Sequence, residues 1–343
     1  MKVKKAAWTR PDTNNFVISV ITTSMPDGTY GNVHKIRAFL KKVKRFYESI
    51  LSPLPSYLKS PYGGHPAVTR SLVEGLRKLG VPFSYNPKVV NDLSRVVIVL
   101  SDAFALKQMI ALKQQGYIKY LLAGPNILND PGAHNGILAS PEIDVCITPA
   151  EGVCKLHERF LPSLSGRCLP WAAGVDMDFW TPGEDILLKN VLIYCKQNMG
   201  MTAGVGEYID ALKSRGFTAT VVEYGQYSIN EFRELLQSAA LMVGFSRNES
   251  QGIAWAEAWA CNVPTFIWKH SEPTYLGVRY NGSPAPYLSD YTGSFFVSFE
   301  EFCSKIDKWS NNELNFEPRK WCCEHMSDEI CAKELLRLAT FTT

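Results

Sequence analysis

Short apolar runs alternate along the chain with longer segments in which apolar side chains recur every three to four positions. Phe16 to Thr22, Val96 to Leu100, Lys119 to Ala123, Asp144 to Thr148, Val191 to Cys195, Thr218 to Glu223, Leu241 to Phe245, Thr265 to Trp268 and Ser294 to Val297 are rich in β-branched and aliphatic residues and read as strands. Helical spacing predicts a helix over 32–50, where Val33, Ile36, Leu40, Val43, Tyr47 and Ile50 share a face, and another carrying Leu72, Leu76 and Leu79. Further helices are predicted for Phe104 to Gln115, Glu151 to Phe160, Gly206 to Arg215, Ile229 to Ala239, Ile253 to Cys261, about 299–309 and Asp328 to Leu338. Gly80, Gly116 and Gly216 stand where three of these helices stop. Strands separated by helices predict α/β units with parallel sheets, whose ligands sit beyond the C-terminal strand ends.

One stretch departs from the ordinary amphipathic pattern. Residues 244–268 read GFSRNESQGIAWAEAWACNVPTFIW, and between Ile253 and Trp268 the only charged side chain is Glu257. A helix apolar nearly all round is a buried helix. A lone carboxylate on it is costly unless hydrogen-bond donors reach it, and a sugar or ribose diol offers two. Ser250, Gln251 and Gly252 would stand at the helix N-terminus, where backbone N–H groups and the positive end of the dipole suit a phosphate. Gly252 would let a ligand approach the backbone closely.

The chain has 343 residues, room for two domains, with 46% hydrophobic and 20% charged residues and a net charge of +3. That balance calls for no nucleic acid, and no apolar run approaches the ~18 residues of a membrane span. The basic N-terminus lacks the apolar core of a signal peptide. Nine scattered cysteines suit reduced thiols in a cytoplasmic protein. Cys322, Cys323, His325 and Cys331 cluster without the spacing of paired zinc ligands, and no metal site is expected. The 32–50 helix carries Lys35, Arg37, Lys41, Lys42, Lys44 and Arg45 on its other faces. It reads as a solvated face or as a landing surface for an anionic acceptor or a membrane.

The spacing Glu249-x7-Glu257, followed by Ala258 and the Val263-Pro264 turn, resembles the E-x7-E signature of GT-B glycosyltransferases, especially the retaining GT4-like group. The resemblance implies two Rossmann-like, doubly wound domains with a cleft between them. It places an acceptor domain at 1–178, with 1–60 an insertion or extension, a donor domain at 179–318, and a C-terminal helix at 319–343 crossing back to the first domain. It implies that Glu249 lies by the donor sugar, that Glu257 bonds the ribose hydroxyls, and that Lys196 is the first member of a basic pair at the diphosphate; no second member stands out. Gly63 and Gly64 resemble the glycine-rich loop that faces the donor, and the loop with Tyr227 the one that borders the base. Arg167 to Trp180 resembles the strand and linker joining the two domains. Asp176 and Asp178 imitate the DxD metal motif of the other glycosyltransferase fold without its flanking pattern. His134, in the 127–136 loop beyond a strand end, is a candidate for contact with substrate. The implied reaction is sugar transfer from a nucleotide-sugar, a UDP- or GDP-sugar, to a glycan, lipid-linked or small-molecule acceptor. It would be retaining, with no metal or other cofactor, in the cytoplasm or at a membrane surface. A nucleotide-sugar epimerase of the same fold and a non-catalytic nucleotide-sugar or glycan-binding protein are the alternatives.

Overall fold

The computed structural model describes residues 15–25, 64–128, 130–184, 189–196, 204–270 and 273–340. The basic helix expected over 32–50, and Gly63, lie outside the described residues.

Two parallel sheets form the frame. The first has strand order β2-β1-β3-β4-β5-β6, with β1 at Ile18–Ile21, β2 at Phe83–Tyr85, β3 at Val96–Ser101, β4 at Tyr120–Asn126, β5 at Val145–Thr148 and β6 at Cys168–Pro170. The second has order β13-β10-β9-β7-β8, with β7 at Asn190–Cys195, β8 at Thr218–Glu223, β9 at Leu241–Phe245, β10 at Thr265–Trp268 and β13 at Gly293–Phe296. Their central strands are buried on both faces, which is why they read as unbroken apolar runs. A small hairpin, β11 (Thr274–Tyr275) with β12 (Val278–Arg279), stands apart from both sheets.

Helices cover the sheets. In the first half, Val68, Leu72 and Leu76 of the Gly64–Lys78 helix pack with Ile18, Val20, Ile98 and Leu100 on one face. The Ala103–Gln114 helix packs on the other, with Leu106 and Met109 against Val97, Val99 and Leu121. The final helix, Asp328–Thr340, joins the first of these cores through Ala332, Leu335, Leu338 and Ala339, so the chain's last element packs on its first sheet. The Ile253–Ala260 helix is buried from Trp255 through Ala260, as its composition predicts. No described helix is long and apolar enough to cross a membrane.

The linker between the sheets is held from both sides. The Ser71 hydroxyl accepts from the Gly174 N–H at 2.6 Å. Gln251 brackets Ala173, donating to its carbonyl at 2.7 Å and accepting from its N–H at 3.0 Å. Arg319, in the Pro318–His325 helix, donates to the carbonyls of Met177 and Trp180.

Candidate functional site

In the second sheet β8 lies on one side of β7, while β9, β10 and β13 follow on the other. The winding reverses between β7 and β9, and an open α/β sheet leaves a crevice beyond the C-terminal ends of such strands. Lys196 follows β7 and Ser246 follows β9, so the crevice falls between them. The pairing of the two strands sets their relative height, and the Lys196 N–H continues it by donating to the Phe245 carbonyl at 3.1 Å.

The charges at this point are Lys196 and Glu249. Lys196 Nζ donates to Glu249 Oε2 at 2.6 Å, and Ser246 Oγ donates to Oε1 at 2.8 Å. The Glu249 backbone is fixed by its N–H donating to the Ser283 carbonyl at 2.9 Å. The Glu249 side chain is 10% exposed and that of Lys196 33% exposed. The ammonium also lies 5.0 Å from the centre of the Tyr224 ring. A carboxylate aimed by a hydroxyl, next to a cation that water can reach, can accept from sugar hydroxyls while the cation meets an anionic ligand.

Glu257 lies deeper, 5% exposed, on the buried Ile253–Ala260 helix. Tyr194 and Tyr227 share this end of the sheet, with their hydroxyls 3.4 Å apart and Tyr227 stacked on Phe232. Burial pushes both phenols above their ordinary range, and the negative charges of Glu249 and Glu257 add to the effect. Both therefore keep their protons at neutral pH.

The turn before the helix divides its residues by role. Ser250 is exposed. Gln251, expected at the phosphate, is buried, and both ends of its amide are taken up by Ala173. Gly252 has φ +83°, and a Cβ there would collide with the Trp255 indole. The close approach of Trp255 is by itself enough to require a glycine here. Trp255 is anchored in turn by its Nε1–H donating to the Pro284 carbonyl at 2.8 Å. No side-chain cap closes the helix N-terminus.

A cavity of about 690 Å³ opens beside Glu249. Its walls come from both halves of the chain: Ala150 to Val153 at the start of the Glu151–Phe160 helix, Trp171 of the linker, Tyr280 to Ser283, and Tyr287. The halves touch here, where the Tyr287 hydroxyl donates to the Pro149 carbonyl at 2.7 Å. No described residue of the 127–136 loop lines this cavity. His134 is exposed, its backbone is left-handed at φ +53°, and its ring meets the edge of Phe104 at 6.1 Å. The turn thus sets it against the start of the Ala103–Gln114 helix. Gly64 is the first residue of the Gly64–Lys78 helix.

Asp176 and Asp178 have separate structural partners. Asp176 accepts from the backbone N–H groups of Asp178 and Phe179 and stands 3.8 Å from Arg70. Asp178 takes a hydrogen bond from Lys78 at 2.7 Å. Sequence reasoning did not single out Ser246, Tyr224 or Asn248, whose amide donates to the Tyr280 hydroxyl at 2.6 Å. Ser246 stands three residues before Glu249, a spacing visible in the sequence, but only the turn beyond β9 brings the two together.

No family model matches the chain. No curated protein matches it in sequence. Among solved structures it is similar to the lipopolysaccharide outer core galactosyltransferase WaaB, at 10% identity and a TM-score of 0.53, over 94% of this chain and 98% of that one. It is also similar to HepE (Alr3699) of Anabaena, solved with UDP and glucose, at 9% identity and a TM-score of 0.50, over 93% of this chain and 98% of that one. With its two doubly wound parallel sheets, the chain has the GT-B fold.

Proposed function

We propose that this GT-B chain is a glycosyltransferase that binds a nucleotide-sugar on its second half and passes the sugar to an acceptor held against its first. The observation that carries the reading is the Lys196–Glu249 pair, set at the point where the strand order reverses and beside a cavity walled by both halves. The likeness to a galactosyltransferase and to a protein solved with UDP and glucose supports a nucleotide-sugar as the ligand.

Transfer exchanges the bond between the anomeric carbon and a diphosphate oxygen for one to an acceptor hydroxyl oxygen, whose proton is lost. Negative charge grows on the diphosphate as the first bond breaks. Lys196 would leave Glu249 to meet that charge, assisted by the N–H groups at the start of the Ile253–Ala260 helix near exposed Ser250. Glu249, held by Ser246, would accept from hydroxyls of the sugar, and Glu257 from those of the ribose, with Tyr227 near the base and Gly64 on the acceptor side. In this reading the anomeric configuration is retained and no metal is needed at the diphosphate. The acceptor class is a glycan, a lipid-linked sugar or a small molecule.

The test is incubation with a panel of UDP- and GDP-sugars, first alone and then with pooled acceptors, following release of nucleoside diphosphate and the mass of the products. Acceptor-dependent release, unchanged by added magnesium or manganese, is the expected result. Epimer formation without acceptor would make the chain an isomerase. Donor binding without turnover in any acceptor pool would make it a binding protein. Failure of every nucleotide-sugar to raise the thermal midpoint would remove the nucleotide-sugar site itself.

A further inference from the structure

Away from the Lys196–Glu249 crevice, the edge of the first sheet holds a buried group of sulfur and nitrogen ligands that the proposed reaction does not use. Cys146 of β5 and Cys168 of β6 are direct partners across the two parallel strands. His157, on the Glu151–Phe160 helix that covers them, brings a ring nitrogen to the same point. Its ligand atom and the two sulfurs all lie within 4.8 Å of one another, and all three residues are buried. Cys154, one turn before His157 on that helix, lies alongside, its thiol donating to the Cys168 carbonyl at 2.9 Å. The set spans Cys146-x7-Cys154-x2-His157-x10-Cys168.

A second observation points to a ligand here. His157 is 6% exposed, and its Nδ1 is buried with no hydrogen-bond partner. A buried imidazole nitrogen normally has a partner, because leaving one without costs its hydration. Atoms bound to one zinc ion at about 2.0–2.3 Å stand within about 4 Å of each other, so a small contraction would close this set around an ion. Two or three thiols with one imidazole form a soft donor set that suits zinc and excludes calcium or magnesium.

We propose that Cys146, His157 and Cys168, with Cys154 as fourth ligand, form a structural zinc site that staples the Glu151–Phe160 helix to β5 and β6. On binding, each thiol that ligates gives its proton to solvent. The imidazole is already neutral, because burial lowers His157 to about 4. Contact with a neighbouring thiol, Cys168 for Cys154 and Cys146 for Cys168, raises the thiols of Cys154 and Cys168 well above their ordinary value and burial adds to it, so the metal must displace protons that are firmly held there. The staple would bear on the proposed active site, since Ala150 to Val153 at the start of the same helix form one wall of the cavity, and Gly152 packs so closely on the Asn281 carbonyl that a Cβ would collide.

The test uses the full chain, reduced and stripped with a chelator, then titrated with zinc against a chromophoric competitor and separately with cobalt(II). The expected results are one equivalent of zinc, a higher thermal midpoint on loading, and a cobalt spectrum with an intense thiolate band and tetrahedral d–d bands. Cys146→Ser and Cys168→Ser, each checked for folding by circular dichroism, should lower zinc affinity at least about 100-fold, since even outer partners of a ligand are worth 10–100-fold. Cys323→Ser, at an exposed position in the C-terminal cluster, should leave binding unchanged. If both strand variants prove unfolded, X-ray absorption of the zinc-loaded wild type and of Cys323→Ser decides, a shared sulfur-rich shell with imidazole being expected. The proposal is overturned by any of four results: no stoichiometric zinc, a cobalt thiolate band of undiminished intensity and affinity in folded Cys168→Ser, a shell of oxygen and nitrogen alone, or a Cys146–Cys168 disulfide in the protein as isolated.

Discussion

Lys196 and Glu249 are 53 positions apart in the chain and 2.6 Å apart in the fold. A cation that meets the departing diphosphate interacts more strongly with the transition state than with the bound donor, so its loss falls on turnover. Lys196→Ala is expected to lower kcat by about 100-fold or more, with a smaller change in KM, in steady-state kinetics with the donor selected from the panel. The same substitution should cost no more than about 1 kcal/mol of stability, because Glu249 keeps its bond to Ser246 and water reaches the lysine. Activity and fold are thereby read separately. Equal kcat in variant and wild type would mean that Lys196 serves only to neutralise Glu249. Glu257→Ala should weaken binding of the free nucleoside diphosphate by on the order of 1.5–3 kcal/mol, measured by calorimetry, because a charged acceptor for ribose hydroxyls is removed. Undiminished affinity in a folded variant would take the ribose role away from Glu257. Both glutamates and the lysine could be picked from the sequence one at a time. Their juxtaposition could not, because it depends on the parallel register of β7 with β9. The hold of Gln251 on the linker was hidden for a related reason: nothing local shows that the linker at Ala173 will pass within reach of its amide.

Elements with a long, uniform pattern were legible. The predicted strands Thr218 to Glu223, Leu241 to Phe245 and Thr265 to Trp268, and the helix Glu151 to Phe160, have the same bounds in the structure. Those missed are short: β2 has three residues and the β11–β12 hairpin two per strand, too few for any period to show. The Pro318–His325 helix was also missed; a proline at its start was the available signal, but its eight residues bury only Pro318 and Cys322. At the Ile253–Ala260 helix the pattern gave burial correctly, but it did not show the Trp255 contact that gives its leading glycine a packing reason. Gly252→Ala tests that reason. It meets both a left-handed backbone and the Trp255 indole, whereas Gly166→Ala, at φ +76°, meets open space. The Gly166 variant should lose about 1–2 kcal/mol from the backbone alone, and the Gly252 variant clearly more, since its Cβ must also displace a packed aromatic ring. Urea denaturation of the two variants gives the comparison. Equal losses would show that Trp255 can move aside at little cost, and would reopen the approach of a ligand as the reason for the glycine.

On the scale of the molecule, the two sheets are joined by a linker that is held, among its other bonds, beside one buried charge. Asp328 begins the final helix, its side chain is fully buried, and Arg70 of the Gly64–Lys78 helix grips both carboxylate oxygens, at 2.6 and 3.0 Å. The Val175 N–H donates to the Met326 carbonyl at 2.8 Å close by, so helix, linker and chain end meet at one point. Burial raises the Asp328 carboxyl above its usual value, and Arg70 opposes that shift. Arg70→Ala removes the opposition and leaves a carboxylate with little water around it. Breaking a buried pair costs about 3–5 kcal/mol, and because Arg70 is itself partly exposed the expected loss at pH 7 is roughly 2–4 kcal/mol. The sign with pH follows from the direction of the shift. A carboxyl whose folded pKa lies above the unfolded one stabilises the fold most when protonated, and that contribution is lost as pH rises through the folded pKa. The gap between wild type and Arg70→Ala should therefore be widest at neutral pH and close as the pH falls towards the unfolded carboxylate value of about 4. Paired urea titrations at several pH values measure it. A gap that stays constant down to acid pH would show that Arg70 acts through packing and its bond to the Gly174 carbonyl, and that the charge of Asp328 is met by other groups.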